Sequence, residues 1–161
     1  MKLETIEFLL NLNRDFYDTY AKSFSSTRYT IQPGIRRLLP QLRDSDNLLD
    51  LGCGNGNLAK VLLEIGFSGN YLGVDNSPSL LADAAITIPE SEKERFTFQQ
   101  VDLSAQFQTL PNQVRFDAIA CFAVIHHFPV DPYLSRFFEF AAQSLQPFGK
   151  LFFSTWQIKN N

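Results

Sequence analysis

Three aspartates and three glycines carry the chemistry open to this sequence. The glycines alternate in Leu48-Leu49-Asp50-Leu51-Gly52-Cys53-Gly54-Asn55-Gly56-Asn57, after an apolar run and before a helical pattern. Glycine tolerates positive φ and has no Cβ, so a ligand can approach such a backbone closely. The turn also aims its amides and the next helix N-terminus at one point. A strand, a glycine turn and a helix in this order make a nucleotide or nucleoside cradle. Asp50, just before the first glycine, sets a negative charge in its mouth. That charge would repel a pyrophosphate and attract an ammonium or a sulfonium. Gly54-x-Gly56-x-x-Ala59 formally fits a dinucleotide fingerprint. Asp50 argues against that ligand, and so does a chain too short for a second mononucleotide-binding half. Asp75 follows Gly56 by 19 residues, the spacing at which an acid ending the second strand takes a ribose diol. Taken alone, its Asp-Asn-Ser-Pro setting also fits a turn or capping acid. Asp102 closes a third apolar run and on its own reads equally well as a turn acid.

Other side chains are candidates for the acceptor side. His126 and His127 are adjacent. Neighbours on an extended or turning chain point apart, which argues against a shared metal, and no metal site is expected. One histidine is expected to wall an acceptor pocket and the other to pack or cap. Either is a candidate base toward an oxygen or nitrogen acceptor. Tyr17 completes the candidate catalytic set; with Tyr20 it closes over a cofactor from the first helix, or merely packs there. Arg28 suits a bidentate pair with a carboxylate, or is a surface arginine at a helix–helix turn. Cys53 reads as a small side chain in a tight loop, not a nucleophile. Trp156 stacks a base or belongs to the core.

These residues must be held by alternating strands and helices. A first helix spans about Glu4 to Phe24, with Ile6, Leu9, Leu10, Phe16, Tyr17, Tyr20 and Phe24 at helical spacing. A second begins at Pro33, with Ile35, Leu38, Leu39 and Leu42 on one face. Strands come at about Leu48–Leu51, Tyr71–Val74, Phe96–Val101, Phe116–Phe122 and Lys150–Trp156. The helix after the glycines presents Leu58, Val61, Leu62 and Ile65 and stops at Gly66. The next is capped by Ser77, with Pro78 at its first position, and buries Leu81, Ala84, Ala85 and Ile88. Ser104 to Pro111 is a short helix or a loop. A long helix from Asp131 carries Leu134, Phe137, Phe138, Ala141 and Leu145 until Pro147 and Gly149 break it. The alternation predicts an α/β fold, a parallel sheet with helices on both faces. Ligands in such sheets sit at the carboxyl ends of the strands, where Asp50, Asp75, Asp102 and the Cys121–Phe122 pair all fall.

Composition bounds the reading. The 161 residues suffice for one domain, and 45% hydrophobic content is ordinary for a globular protein. No apolar run approaches the roughly 20 residues of a membrane span, and the N-terminus does not resemble a signal peptide. Two cysteines, Cys53 and Cys121, suit a reducing cytoplasm. The net charge of −3 gives no bulk attraction to nucleic acid. Even so, Thr19 to Arg43 holds five cations (Lys22, Arg28, Arg36, Arg37, Arg43) and no acid. That run is a solvated face or a patch facing a polyanion.

In order and spacing, these segments resemble the class I S-adenosylmethionine-dependent methyltransferases. Asp50 to Gly56 is similar to their first motif, Gly73-Val74-Asp75-Asn76-Ser77 to the second and Val101-Asp102-Leu103 to the third. Phe116 to Ala123 is similar to the fourth, and Leu145 to Leu151 to the loop into strand five. In that loop the family has two glycines where this chain has Phe148-Gly149. The resemblance implies S-adenosyl-L-methionine as cofactor, strand order 3-2-1-4-5, and one domain over 1–161, with a helical extension over 1–45 and a cofactor-binding core over 46–161. It implies that Gly52, Gly54 and Gly56 pass close to the methionine and ribose parts, with Cys53 in the same loop. Asp50 would face the ammonium, Asp75 the ribose hydroxyls with Asn76 beside it, and Asp102 and the Leu103 amide the adenine. Phe122 and Ala123 would line the methyl channel. Arg28 would hold the cofactor carboxylate or an anionic acceptor.

A narrower resemblance runs to the methyltransferases that esterify carboxymethyluridine at the tRNA wobble position. It rests on Phe24 to Tyr29, Ala123 to Phe128 and Ser154-Thr155-Trp156. It implies tRNA as acceptor and a small activating subunit as partner. A carboxylate acceptor is already ionised near neutral pH, so in-line methyl transfer to it needs no general base. The relatives continue past strand five with a helix and an antiparallel strand pair, so the chain reads as a fragment, a trimmed relative or an inactive remnant. A small-metabolite methyltransferase and a non-catalytic cofactor-binding domain are the alternatives.

Overall fold

A computed structural model describes residues 1–27, 33–104 and 114–155, with the side chains of 17, 18 and 21–27 left aside. Five strands form the sheet: β1 (Asn47–Leu51), β2 (Asn70–Asp75), β3 (Phe96–Gln100), β4 (Phe116–Phe122) and β5 (Leu145–Ser154). Their order is β3-β2-β1-β4-β5 and every pairing is parallel. Helices α3 (Asn57–Glu64), α4 (Pro78–Ile86) and α5 (Asp131–Ser144) make the connections from β1, β2 and β4 to the next strands. Two further helices, α1 (Leu3–Thr27) and α2 (Pro33–Leu38), precede the sheet. The expected α/β architecture is therefore present, with the strand order that the methyltransferase resemblance implied.

The central strand shows why both faces are covered. Side chains alternate across a strand, so Leu48 joins one core with Ile35, Leu58, Leu62 and Tyr71, under α2 and α3. Leu49 and Leu51 join the other with Val74, Ile119 and Phe137, under α5. All three leucines are fully buried, each worth roughly 2 kcal/mol. Asp50 shares the face of Leu48, so the alternation sends a carboxylate into an otherwise apolar layer.

Several expectations shift at element ends. Ile65 is exposed because α3 stops at Glu64 and the left-handed Gly66 comes just after. In α4, Leu80 takes the buried place expected of Ala85, which is exposed. Ser77 caps the helix as expected, its Oγ accepting from the Leu80 amide. Helix α5 ends at Ser144, and Leu145 instead pairs with Phe116. Gln146 precedes Pro147, a position that disfavours helical backbone. Residues 146–149 then bulge before the regular ladder resumes at Lys150. Phe148, where the family has glycine, sits there at φ 65 with its ring in solvent. Phe138 is half-exposed, and Phe16 and Tyr20 are exposed as well. The 25-residue α1 is about 37 Å long. Trp156, Arg28 and the 105–113 stretch lie outside the described residues.

Candidate active site

The site is built from the carboxyl ends of the strands. After β1 the chain turns through Gly52, Gly54 and Gly56, at φ 75, 55 and 75. Gly52 is required twice over: its φ is left-handed, and a Cβ there would lie 2.2 Å from Val124 Cγ2. The Gly52 and Cys53 amides donate to the Val74 carbonyl at 2.8 and 3.0 Å, locking the turn to β2. Gly56 is the N-cap of α3. Asp75 ties the glycine loop to the start of α4: Oδ2 accepts from the Gly54 amide and Oδ1 from the Ser77 amide, both at 2.9 Å. An ionised carboxylate offers about four lone-pair sites, so it can hold these amides and still accept from a ligand diol.

One cleft gathers these groups, enclosing ≈ 1180 Å³ of space counted out to its open mouth. Asp50, Gly52, Cys53, Gly54, Asp75, Asn76, Asp102, Leu103 and Phe122 all line it. A Cβ at Gly54 would meet nothing within 4 Å, so the loop there opens onto space. Ile35, Leu58, Leu80 and Val101 give the apolar lining. Two of the expected residues stand elsewhere: Gly56 acts through the helix cap, and His126 is not in the wall. The Tyr17 side chain and Arg28 lie outside the described residues.

The histidines differ from expectation. They sit in a 3-10 turn, Ile125–His127, entered through Ala123 at φ 58, a left-handed position. The tight turn brings their rings together, with centroids 4.1 Å apart and planes tilted by 45°, where divergent side chains were expected. His127 lines the cleft, and burial together with His126 pushes its pKa down to about 4. Burial lowers His126 as well. A neutral His127 is a proton acceptor at pH 7.

Sequence reading missed the part of the wall that comes from α1. Leu10, Asn13 and Arg14 line the cleft. Arg14 donates to Asp102 Oδ2 at 2.9 Å, and the Asn13 side chain donates to the His127 carbonyl at 3.4 Å. Ile6, Leu10, Asn13 and Arg14 are spaced i, i+4, i+7, i+8, one helix face, and that spacing was the available signal. Ser104 takes the other Asp102 oxygen with its amide at 2.8 Å and its hydroxyl at 2.5 Å.

Asp50 forms the floor. It is 4% exposed, and Oδ2 accepts from the Tyr71 hydroxyl at 2.7 Å. Burial raises its pKa to about 7; the Tyr71 bond opposes the rise and Asp75 adds to it. Burial also pushes the Cys53 and Cys121 thiols up, with Asp50 adding to both. Both are free, neutral thiols, in accord with a packing role for Cys53.

A family model described as a methyltransferase domain matches residues 23–160. The chain belongs to the methyltransferase-domain family. A solved S-adenosylmethionine-dependent methyltransferase from Mesorhizobium loti is 32% identical with a TM-score of 0.62, over 76% of this chain and 52% of that one. The ubiquinone biosynthesis O-methyltransferase of Coxiella burnetii is 38% identical over 109 residues, 68% of this chain and 43% of that protein. The tRNA (carboxymethyluridine(34)-5-O)-methyltransferase alkbh8 of Xenopus tropicalis is 30% identical over 145 residues, 89% of this chain and 20% of that protein. This methyltransferase domain thus spans half or less of the length of the curated relatives it matches.

The cleft fits S-adenosylmethionine, the cofactor that the motif resemblance implies. The open side of Gly54, the inward Asp75, the apolar walls and the anionic floor match a ribose, an adenine and a cationic tail. Among the described residues, no group of three or more His, Cys, Asp and Glu is placed to hold a metal ion, and no helix is long and apolar enough to cross a membrane.

Proposed function

We propose that this methyltransferase domain transfers a methyl group in line to an anionic acceptor, the carboxymethyl group of a tRNA wobble uridine. The observation that carries the reading is the convergence of Asp50, Asp75 and Asp102 on one cleft beside Phe122. S-adenosylmethionine bound there supplies a methyl group on a sulfonium. Asp50 then holds the ammonium, Asp75 the ribose hydroxyls, and Asp102 with Leu103 the adenine. Phe122 and Ala123 wall the path of the methyl group and exclude water from it. Orientation of this kind removes on the order of 7–11 kcal/mol of barrier. An ionised carboxylate needs no proton removed, so the chain needs no base for it. Polyanion binding is supported by Arg36 and Arg37, exposed on α2, the helix whose Ile35 lines the cleft. The Xenopus relative supports the same acceptor. The buried free thiols accord with a reducing, cytoplasmic setting.

A second reading, O-methylation of a small hydroxyl-bearing metabolite, is favoured by His127. Its imidazole is neutral at pH 7 and lines the cleft, so it can take the hydroxyl proton. A labelled-methyl assay against bulk tRNA and against a metabolite pool decides between the two. Label in tRNA that nuclease digestion removes supports the first; label confined to the metabolite pool overturns it. His127→Gln separates the mechanisms: kcat changes less than about threefold with a carboxylate acceptor and falls about a hundredfold with a hydroxyl.

A further inference from the structure

Tyr71, the second residue of β2, is almost wholly buried, at 1% exposure. Its ring stacks on Phe96, with centroids 5.5 Å apart, and meets Phe98 edge-on at 5.8 Å. A phenylalanine would make the same contacts. The hydroxyl is the difference, and it donates to Asp50 Oδ2 at 2.7 Å. Among the described residues, no donor reaches the other oxygen, Oδ1. The bond depends on a notch. Gly73 stands in register beside Asp50, and a Cβ there would lie 2.9 Å from Tyr71 Cε1, 2.9 Å from Phe98 Cδ1 and 3.0 Å from Cys53 Sγ. The missing Cβ lets the phenol reach past β2 to the floor of the cleft.

We propose that Tyr71 is a positioning residue for the cofactor: its hydroxyl fixes one oxygen of Asp50 so that the other is presented to the ammonium of the methionine moiety. The proposal rests on the reading of Asp50 as the partner of that ammonium. A hydrogen bond to a carboxylate also favours its ionised form, so Tyr71 governs the pH at which the floor carries charge. Asp75, at the end of β2, also acts on Asp50, and Asp50 in turn raises the neighbouring Cys53 and Cys121 thiols; Arg14, Asp102 and His127 line the same cleft.

Calorimetry tests this with S-adenosylhomocysteine, which keeps the amino-acid tail, and 5′-methylthioadenosine, which lacks it. Wild type, Tyr71→Phe, Asp50→Asn and the double variant are compared from pH 6 to 9. Tyr71→Phe should weaken S-adenosylhomocysteine roughly tenfold at pH 7, with most of the loss recovered at pH 9. Methylthioadenosine should bind within twofold of wild type, and Tyr71→Phe should add nothing in the Asp50→Asn background. Equal loss for both ligands, or a loss independent of pH, would reduce Tyr71 to packing and overturn the proposal. If Asp50→Asn binds S-adenosylhomocysteine like wild type, the Asp50 reading falls and the proposal with it. If Asp50→Asn is weak and Tyr71→Phe is neutral, only the role of Tyr71 falls. Infrared titration of the Asp50 carboxyl gives a ligand-free check: its midpoint should move upward in Tyr71→Phe, and an unmoved midpoint counts against the proposal.

Discussion

Asp50, on β1, and Asp102, just after β3, are two carboxylates on strands separated by β2, lining one cleft, yet they are held in opposite ways. Asp50 lies inside the protein, bonded to Tyr71 from the adjacent strand. The Asp102 side chain keeps 19% of its surface, bonded to Ser104 in its own turn and to Arg14 from outside the sheet. The floor of the cleft is therefore set by strand register, and anything that preserves the sheet preserves it. The rim depends on where α1 lies. Burial also makes the floor answer to pH, because a desolvated carboxylate resists ionisation.

The largest effect comes from removing the floor charge. Asp50→Asn should weaken S-adenosylhomocysteine about a hundredfold at pH 8, the loss of a charge-assisted bond in a dry site. The same change should stabilise the ligand-free protein. The folded chain holds the Asp50 proton up to about pH 7, against an ordinary 3.8. This contribution is present in full below about pH 4 and is lost as the pH rises to 7, a cost of roughly 4 kcal/mol. Thermal melts of wild type should fall over that window, those of Asp50→Asn should not, and the variant should melt higher at pH 8. Parallel melting curves would mean that the floor is wetter than its burial implies.

The same contrast decides what was legible in the sequence. The three acids and the glycine turn were readable because each is fixed locally: a positive φ favours glycine, and a strand end has one direction; the strand order came only from the resemblance to a family. Tyr71 was read only as an apolar strand residue, since its role requires knowing that it shares a face with Asp50 and that Gly73 leaves room between them. Arg14 was passed over because helical periodicity was sought in apolar side chains alone. The close, tilted contact of His126 with His127 depends on a 3-10 turn that no spacing rule announces. Phe148 at φ 65 was visible as a departure from glycine, but not as a left-handed residue in a bulge.

At the rim, Asp102→Ala should weaken S-adenosylhomocysteine about tenfold and weaken methylthioadenosine equally, because both carry adenine. The pH dependence of binding should stay that of wild type, since Asp50 sets it. Calorimetry with the two ligands from pH 6 to 9 separates floor from rim. A loss confined to S-adenosylhomocysteine would move Asp102 to the amino-acid end of the cleft and dissolve the distinction.

Arg14 gives the smallest and sharpest test. Its ion pair with Asp102 is 2.9 Å long but half in solvent on the arginine side, and such pairs contribute about 0–1 kcal/mol. It engages one of the two oxygens of Asp102, the carboxylate proposed above as the partner of the adenine. Arg14→Gln should therefore raise affinity for both ligands by up to about fivefold, by releasing Asp102 Oδ2 from the guanidinium. In 1 M salt, where the Debye length falls to about 3 Å, wild type and variant should converge as the pair is screened. A drop in affinity on losing Arg14 would instead place the guanidinium among the groups that hold the ligand. Helix α1 would then belong to the binding site as firmly as the sheet does.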